Sequence, residues 1–147
     1  MDRKKSLSLV LLVVACVVVV VFLFIRYYPR TSGVIRVPQD YLTIQRAINA
    51  SRPGDTILVA SGTYVEAIYI NKDNLTLIGE NKSDTIIEGP PTGPVVWLEA
   101  ASNVNITGFT VRLSCPTCYG FYIKFSQRCF IYENVITENN RGIYVTG

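Results

Sequence analysis

Four segments of the chain carry one alternation of apolar and outward-compatible residues. They are Ala67-Ile68-Tyr69-Ile70, Val95-Val96-Trp97-Leu98, Gly120-Phe121-Tyr122-Ile123 and Gly142-Ile143-Tyr144-Val145. Each has aliphatic or Phe residues at its second and fourth places and Tyr or Trp at its third. The steps between them are 28, 25 and 22 residues. A period of two along a short run is the signature of a strand with one buried face. Its recurrence every 20–30 residues is the signature of a stacked repeat. Further short strands are predicted at 56–60, 75–78, 85–88, 104–106, 109–113 and 129–132, separated by Gly, Asn, Pro and Ser. The strands opening Leu75-Thr76-Leu77, Val104-Asn105-Ile106 and Cys129-Phe130-Ile131 hold equivalent places in successive repeats. Asn74, Asn103 and Arg128 precede them.

The pattern predicts an all-β fold: a right-handed parallel β-helix of about four turns over 34–147, each turn stacked on the last at the ~4.8 Å strand spacing. Alternation sends Ile68, Val96, Phe121 and Ile143 inward together with Ile70, Leu98, Ile123 and Val145. Tyr69, Trp97, Tyr122 and Tyr144 then form an outward column. A capping helix is expected over 41–50, with Asp40 as its N-cap and Tyr41, Ile44, Ala47 and Ile48 on its buried face. The last strand ends at Val145 with no capping element after it. A solenoid needs caps, so the domain reads as truncated at its C-terminal end, or as covered there by a second copy or another β-helix.

A different pattern precedes the repeats. Residues 7–25 hold no charge. Nineteen helical residues span roughly 28 Å, near the thickness of a bilayer core. Arg3, Lys4 and Lys5 before the run place a cytoplasmic N-terminus at 1–6 and an extracytoplasmic domain beyond a linker at 26–33. Arg26 and Arg30 after the run weigh against that orientation, and Tyr27 and Tyr28 suit the interface. The competing readings are a cleaved signal peptide and lipidation at Cys16. Composition then matters in one respect. The net charge of +3 in 147 residues belongs to this flank, and the remainder is close to neutral, so no nucleic-acid partner is expected. His is absent, which removes imidazole acid–base chemistry and His metal sites.

Several short motifs point to a family. Thr43-Ile44-Gln45-Arg46-Ala47-Ile48 is followed by Pro53-Gly54-Asp55-Thr56-Ile57, then Gly62-Thr63-Tyr64 with Glu66, then Leu75-Thr76-Leu77-Ile78-Gly79. Their order resembles the opening of pectin-lyase-like right-handed β-helix proteins, including pectin methylesterases. Residues 103–147 are more similar to the copper-processing NosD-type and cell-surface β-helix proteins. The resemblance implies the fold. It does not supply an activity, because the aspartate and glutamine motifs of the esterases do not occur in this chain and its acidic residues are scattered. The expected function is a membrane-anchored extracytoplasmic module that binds surface polysaccharide or acts as a scaffold, without catalysis of its own. The alternatives are an N-terminal piece of a carbohydrate esterase or lyase with catalytic residues beyond residue 147, and a copper-delivery accessory domain.

Tyr69, Trp97, Tyr122 and Tyr144 are the carbohydrate-contact candidates, against the plainer reading that they stack to stabilise the sheet. Cys115, Cys118 and Cys129 are disulfide candidates, because an exported C-x-x-C in a turn favours a disulfide over metal or redox use. Asn49, Asn74, Asn81 and Asn105 lie in N-x-S/T sequons. Asn81 is the most accessible of these, and Asn74 is expected in an inward asparagine stack. No catalytic residue, metal site or cofactor is expected. Arg112, Lys124, Arg128 and Glu133 read as solvated.

Overall fold

A computed structural model describes residues 13–23 and 32–147 and, for 114–116, the backbone. Residues 13–23 are helical (α1) and their apolar side chains are exposed. No helix among the described residues is long and apolar enough to cross a membrane. The expected span at 7–25 extends at both ends outside the described residues, as do segment 1–6 and linker residues 26–31. Residues 32–147 form a compact unit of their own.

That unit is a parallel β-solenoid. Its strands are β1 (Val34–Val37), β2 (Thr56–Val59), β3 (Gly62–Val65), β4 (Ile68–Ile70), β5 (Thr76–Gly79), β6 (Thr85–Glu88), β7 (Val96–Glu99), β8 (Asn105–Thr107), β9 (Thr110–Lys124), β10 (Phe130–Tyr132) and β11 (Val135–Thr146). One face stacks β1-β2-β5-β8-β10. Five strands there make about five turns, one more than the sequence pattern suggests, because β1 adds a rung whose only buried residue is Val37. The other sheet stacks β3-β6 and β4-β7 side by side, and both rows meet on the long β9. Thr110 to Arg112 pair with β6, and Phe121 to Lys124 pair with β7. β11 then follows β9, with two register shifts.

The expected register is the observed one. Ile68, Val96, Phe121 and Ile143 are successive partners, and so are Ile70, Leu98, Ile123 and Val145. In the first three rungs these residues are buried. Ile143 and Val145 are 48% and 66% exposed, since β11 pairs with β9 and with no other described strand. The corners explain the Asn74, Asn103 and Arg128 equivalence. All three have positive φ, at 56°, 57° and 52°, a conformation Asn tolerates better than most residues. Asn103 Nδ2 donates to Asn74 Oδ1 at 3.0 Å. That ladder is exposed, not inward, because the left-handed corner turns the side chain away from the core.

The N-terminal helix differs from expectation in its start. α2 runs Ile44–Ala50, and its N-cap is Thr43, whose hydroxyl accepts from Arg46 N. Asp40 instead closes the preceding turn by accepting from Arg36 N at 2.6 Å, and Tyr41 is exposed. Ile44, Ala47 and Ile48 are buried, and α2 packs on β1, β2 and β4. The Gln45 amide accepts from Tyr69 N at 2.6 Å and donates to Tyr69 O at 3.1 Å. It thus supplies the ladder partners that β4 lacks on its open edge, the requirement every sheet edge has to meet.

Candidate functional site

Tyr69, Trp97 and Tyr122 are consecutive partners across β4, β7 and β9, and Tyr144 on β11 follows. Because their neighbours point into the core, parallel stacking brings the four rings into one outward column. Tyr69 and Trp97 meet edge-to-face at 5.4 Å and 78°. Trp97 and Tyr122 do the same at 5.7 Å and 87°. Tyr122 and Tyr144 stack at 5.6 Å and 22°. Such contacts contribute about 0.5–1.5 kcal/mol each beyond burial, so the column stabilises the sheet as well as forming a surface. Trp97, Tyr122 and Tyr144 are half-buried and Tyr69 is exposed. Trp97 Nε1 is buried without a hydrogen-bond partner among the described residues.

The structure adds residues that the alternation did not point to. Tyr119, from the middle of β9, lies 5.6 Å from Tyr122 and 5.2 Å from Tyr144. With Pro94, Trp97, Tyr122 and Lys124 it lines an open depression of about 280 Å³. Arg141 sits over two rings, 5.8 Å from Tyr119 and 5.5 Å from Tyr144. Lys124, expected to be merely solvated, donates to Glu99 Oε1 at 2.9 Å. Tyr69 Oη donates to Glu99 Oε2 at 3.0 Å. These two bonds hold the Glu99 carboxyl below the ordinary range, that from Lys124 contributing more. Glu99 in turn raises the Lys124 ammonium and the Tyr69 phenol. The lowered carboxyl and raised ammonium mean the pair is formed through neutral pH and is lost as pH falls through the Glu99 value.

Most other carboxylates have structural partners. Glu66 accepts Ile44 N and Gln45 N, each at 2.9 Å. Asp55 accepts Gly33 N and Arg52 N, Asp73 accepts Ser102 N, and Glu80 accepts Ser61 N. Glu88 holds Arg112 at 2.8 Å; that contact, with a smaller contribution from Glu138, raises the guanidinium. Arg112 is therefore ion-paired, not simply solvated. Apart from Asp55 with Arg52, the members of these pairs lie 19 to 29 residues apart along the chain, so no sequence signal marks them.

The remaining candidates are dispersed. Cys118 is disulfide-bonded, while the Cys115 side chain lies outside the described residues. Cys129 carries a free thiol, half-buried against the core. Asn49 is exposed on α2 and accepts from Gln45 Nε2. Asn81 is exposed in the turn before β6, its side chain bonded to Asp84 and Ser83 N. Asn105 is half-buried in β8.

Fold and surface together define a β-solenoid domain with an aromatic, partly cationic outer face. Residues 48–147 match the family described as periplasmic copper-binding protein (NosD), and the chain belongs to that family. Among solved structures it is similar to pectin methylesterase PemA from Erwinia chrysanthemi, at 16% identity and TM-score 0.47 over 71% of this chain and 46% of that one. A pectin methylesterase in complex with a hexasaccharide gives 16% identity and TM-score 0.46 with the same coverage. The chain thus spans about half the length of these two structures. No curated protein matches it.

The family description names copper, and the donor set of this chain does not fit it. The sequence has no His and one Met, Met1. Cys118 is in a disulfide, and no three of His, Cys, Asp and Glu come together among the described residues. Soft or imidazole donors in one cluster are what copper selects.

Proposed function

We propose that the β-helix domain is an extracytoplasmic glycan-binding module, tethered through the apolar segment 7–25, that works without catalysis of its own. The aromatic column carries this reading. Its four rings stand on four successive rungs, and Tyr119 joins them beside an open depression. Aromatic side chains give large rigid contact area at low entropy cost, with polar tips to orient a ligand. The polar groups beside them, Lys124, Glu99 and the Tyr69 hydroxyl, are held in fixed positions by one another. The periplasmic description of the family supports the compartment. The structural use of most acidic side chains supports a binding role over a hydrolytic one, for which a pair of free carboxylates is required.

The test is a screen of the full chain against immobilised surface polysaccharides, followed by titration of the best ligand. Trp97→Ala and Tyr122→Ala should each weaken binding about tenfold, the equivalent of one lost aromatic contact, with the far-ultraviolet dichroism of the fold retained. Tyr132→Ala, away from the column, should leave affinity unchanged. No ligand in the screen, or equal affinity for all three variants, would end this reading.

A further inference from the structure

The sheet built on β1, β2, β5 and β8 carries a groove that takes no part in the aromatic face. One outward column there is Thr56, Thr76 and Asn105, polar as a solvated sheet face requires. The neighbouring column is Arg36, Leu58 and Ile78. Leu58 and Ile78 are aliphatic and half-buried, although they alternate with the core residues Ile57, Val59 and Leu77. They line an open groove of about 370 Å³ together with Arg36, Gln39, Ala60 and Glu80. That volume falls within the range of small-molecule sites.

The groove holds one charge of each sign, and the two do not meet. Arg36 is exposed, and its guanidinium has no hydrogen bond or ion pair among the described residues. Glu80 Oε2 accepts from Ser61 N at 2.9 Å. That bond fixes the carboxylate and is the main reason its pKa lies below the ordinary range. Arg36 stands on β1 and Glu80 directly follows β5, two rungs further on. Two rungs are about 10 Å at the strand spacing. A ligand that satisfies both charges therefore has an anionic end, a cationic end about 10 Å away and an aliphatic middle over Leu58 and Ile78. Three extended residues have that length, and a peptide with free ends has those charges. Gln39 adds an amide that both donates and accepts, the pairing a peptide unit offers. We propose that this groove binds short zwitterionic peptides with an aliphatic central residue, the terminal carboxylate at Arg36 and the terminal ammonium at Glu80. The site is separate from the glycan face, and neither reading depends on the other.

The experiment titrates the full chain, in detergent and methyl-labelled at Leu and Ile, with four peptides. They are alanyl-leucyl-alanine, its N-acetyl form, its C-terminal amide, and alanyl-seryl-alanine. The first should shift the Leu58 and Ile78 methyl resonances saturably at millimolar concentration or below. Each blocked form should bind about threefold or more weakly, the size of a solvated charge contact, and the seryl peptide should also be weaker. Arg36→Gln should make the free peptide and its amide bind equally while the N-acetyl form stays weaker. Glu80→Gln, which keeps an acceptor for Ser61 N, should do the reverse. The remaining methyl spectrum shows that each variant is folded. No saturable shift, equal binding of all four peptides, or charge preferences that survive both substitutions would overturn the proposal. Polysaccharide binding measured on the same variants should be unchanged, so the failure of one reading is seen apart from that of the other.

Discussion

Gly108 shows how closely two rungs approach at one corner. Its φ is +81°, and a Cβ there would meet the Gly79 carbonyl oxygen at 2.3 Å. The contact is reciprocal, because a Cβ on Gly79 would meet the Gly108 oxygen at 2.2 Å. Backbone stands against backbone, so no side chain can move aside. Gly108→Ala should cost about 3 kcal/mol or more, from left-handed strain plus overpacking. Gly93 separates the two causes: its φ is +82° and nothing lies within 4 Å. Gly93→Ala should therefore cost only about 1–2 kcal/mol, the left-handed term alone. Chemical denaturation of both variants measures the difference. Equal losses would show that rung contact contributes nothing at this corner. Both glycines stand in plain view in the sequence, yet their meeting does not, because they lie 29 residues apart.

At the scale of elements, α2 is a seven-residue helix, too short to persist alone. It is held at both ends by groups from the β-helix. Glu66 accepts its first two amides, a carboxylate placed where the helix dipole favours negative charge. Lys72 Nζ donates to Ile48 O, Asn49 O and Ser51 O, each at 2.7 Å, a cation placed where the C-terminal end of the helix favours positive charge. Glu66→Gln keeps one acceptor and loses the charge. It should lower stability by about 1–2 kcal/mol and raise amide exchange across 44–50 more than in β7. Unchanged exchange in α2 would show that apolar packing alone holds it. The helix was legible from Ile44, Ala47 and Ile48. Its start was not, because Asp40 and Thr43 are both good caps and only the turn at 37–40 decides between them. β1 and β3 leave no strand signal in the sequence for a related reason. Each is an edge strand of mixed burial, so neither shows a clean alternation. The alternation predicts two strands around Cys115-Pro116-Thr117-Cys118, whereas pairing with β11 extends β9 through that run.

The whole domain is a stack in which each rung is held by its neighbours. Its core runs continuously from Val37 to Ile123, with Phe109 and Phe121 the largest fully buried side chains. Burial then declines along the stack. Phe130, Tyr132, Val135, Ile143 and Val145 are all exposed. Local opening should follow the same gradient. In the 147-residue chain, the amides of residues 143–146 should exchange by opening of β11 alone, well before those of Val96–Glu99, which have strands on both sides. Equal protection in β7 and β11 would show that something else covers β11.

The sequence by itself determined the repeat, the register and the sidedness. Alternation has a period of two, and a slip of one residue would put Tyr69, Trp97 and Tyr122 in the core and Ile68, Val96 and Phe121 in water. The hydrophobic effect therefore settles those features wherever Ile, Val and Phe alternate with Tyr and Trp. Only the tertiary structure decided which polar groups share the aromatic face. Glu99 reaches Tyr69 across 30 residues and Lys124 across 25, and Arg141 reaches Tyr119 and Tyr144 past two register shifts. Turn length and left-handed corners set those meetings. Neither leaves a period in the sequence, so the charge of the face emerges only when the rungs are stacked.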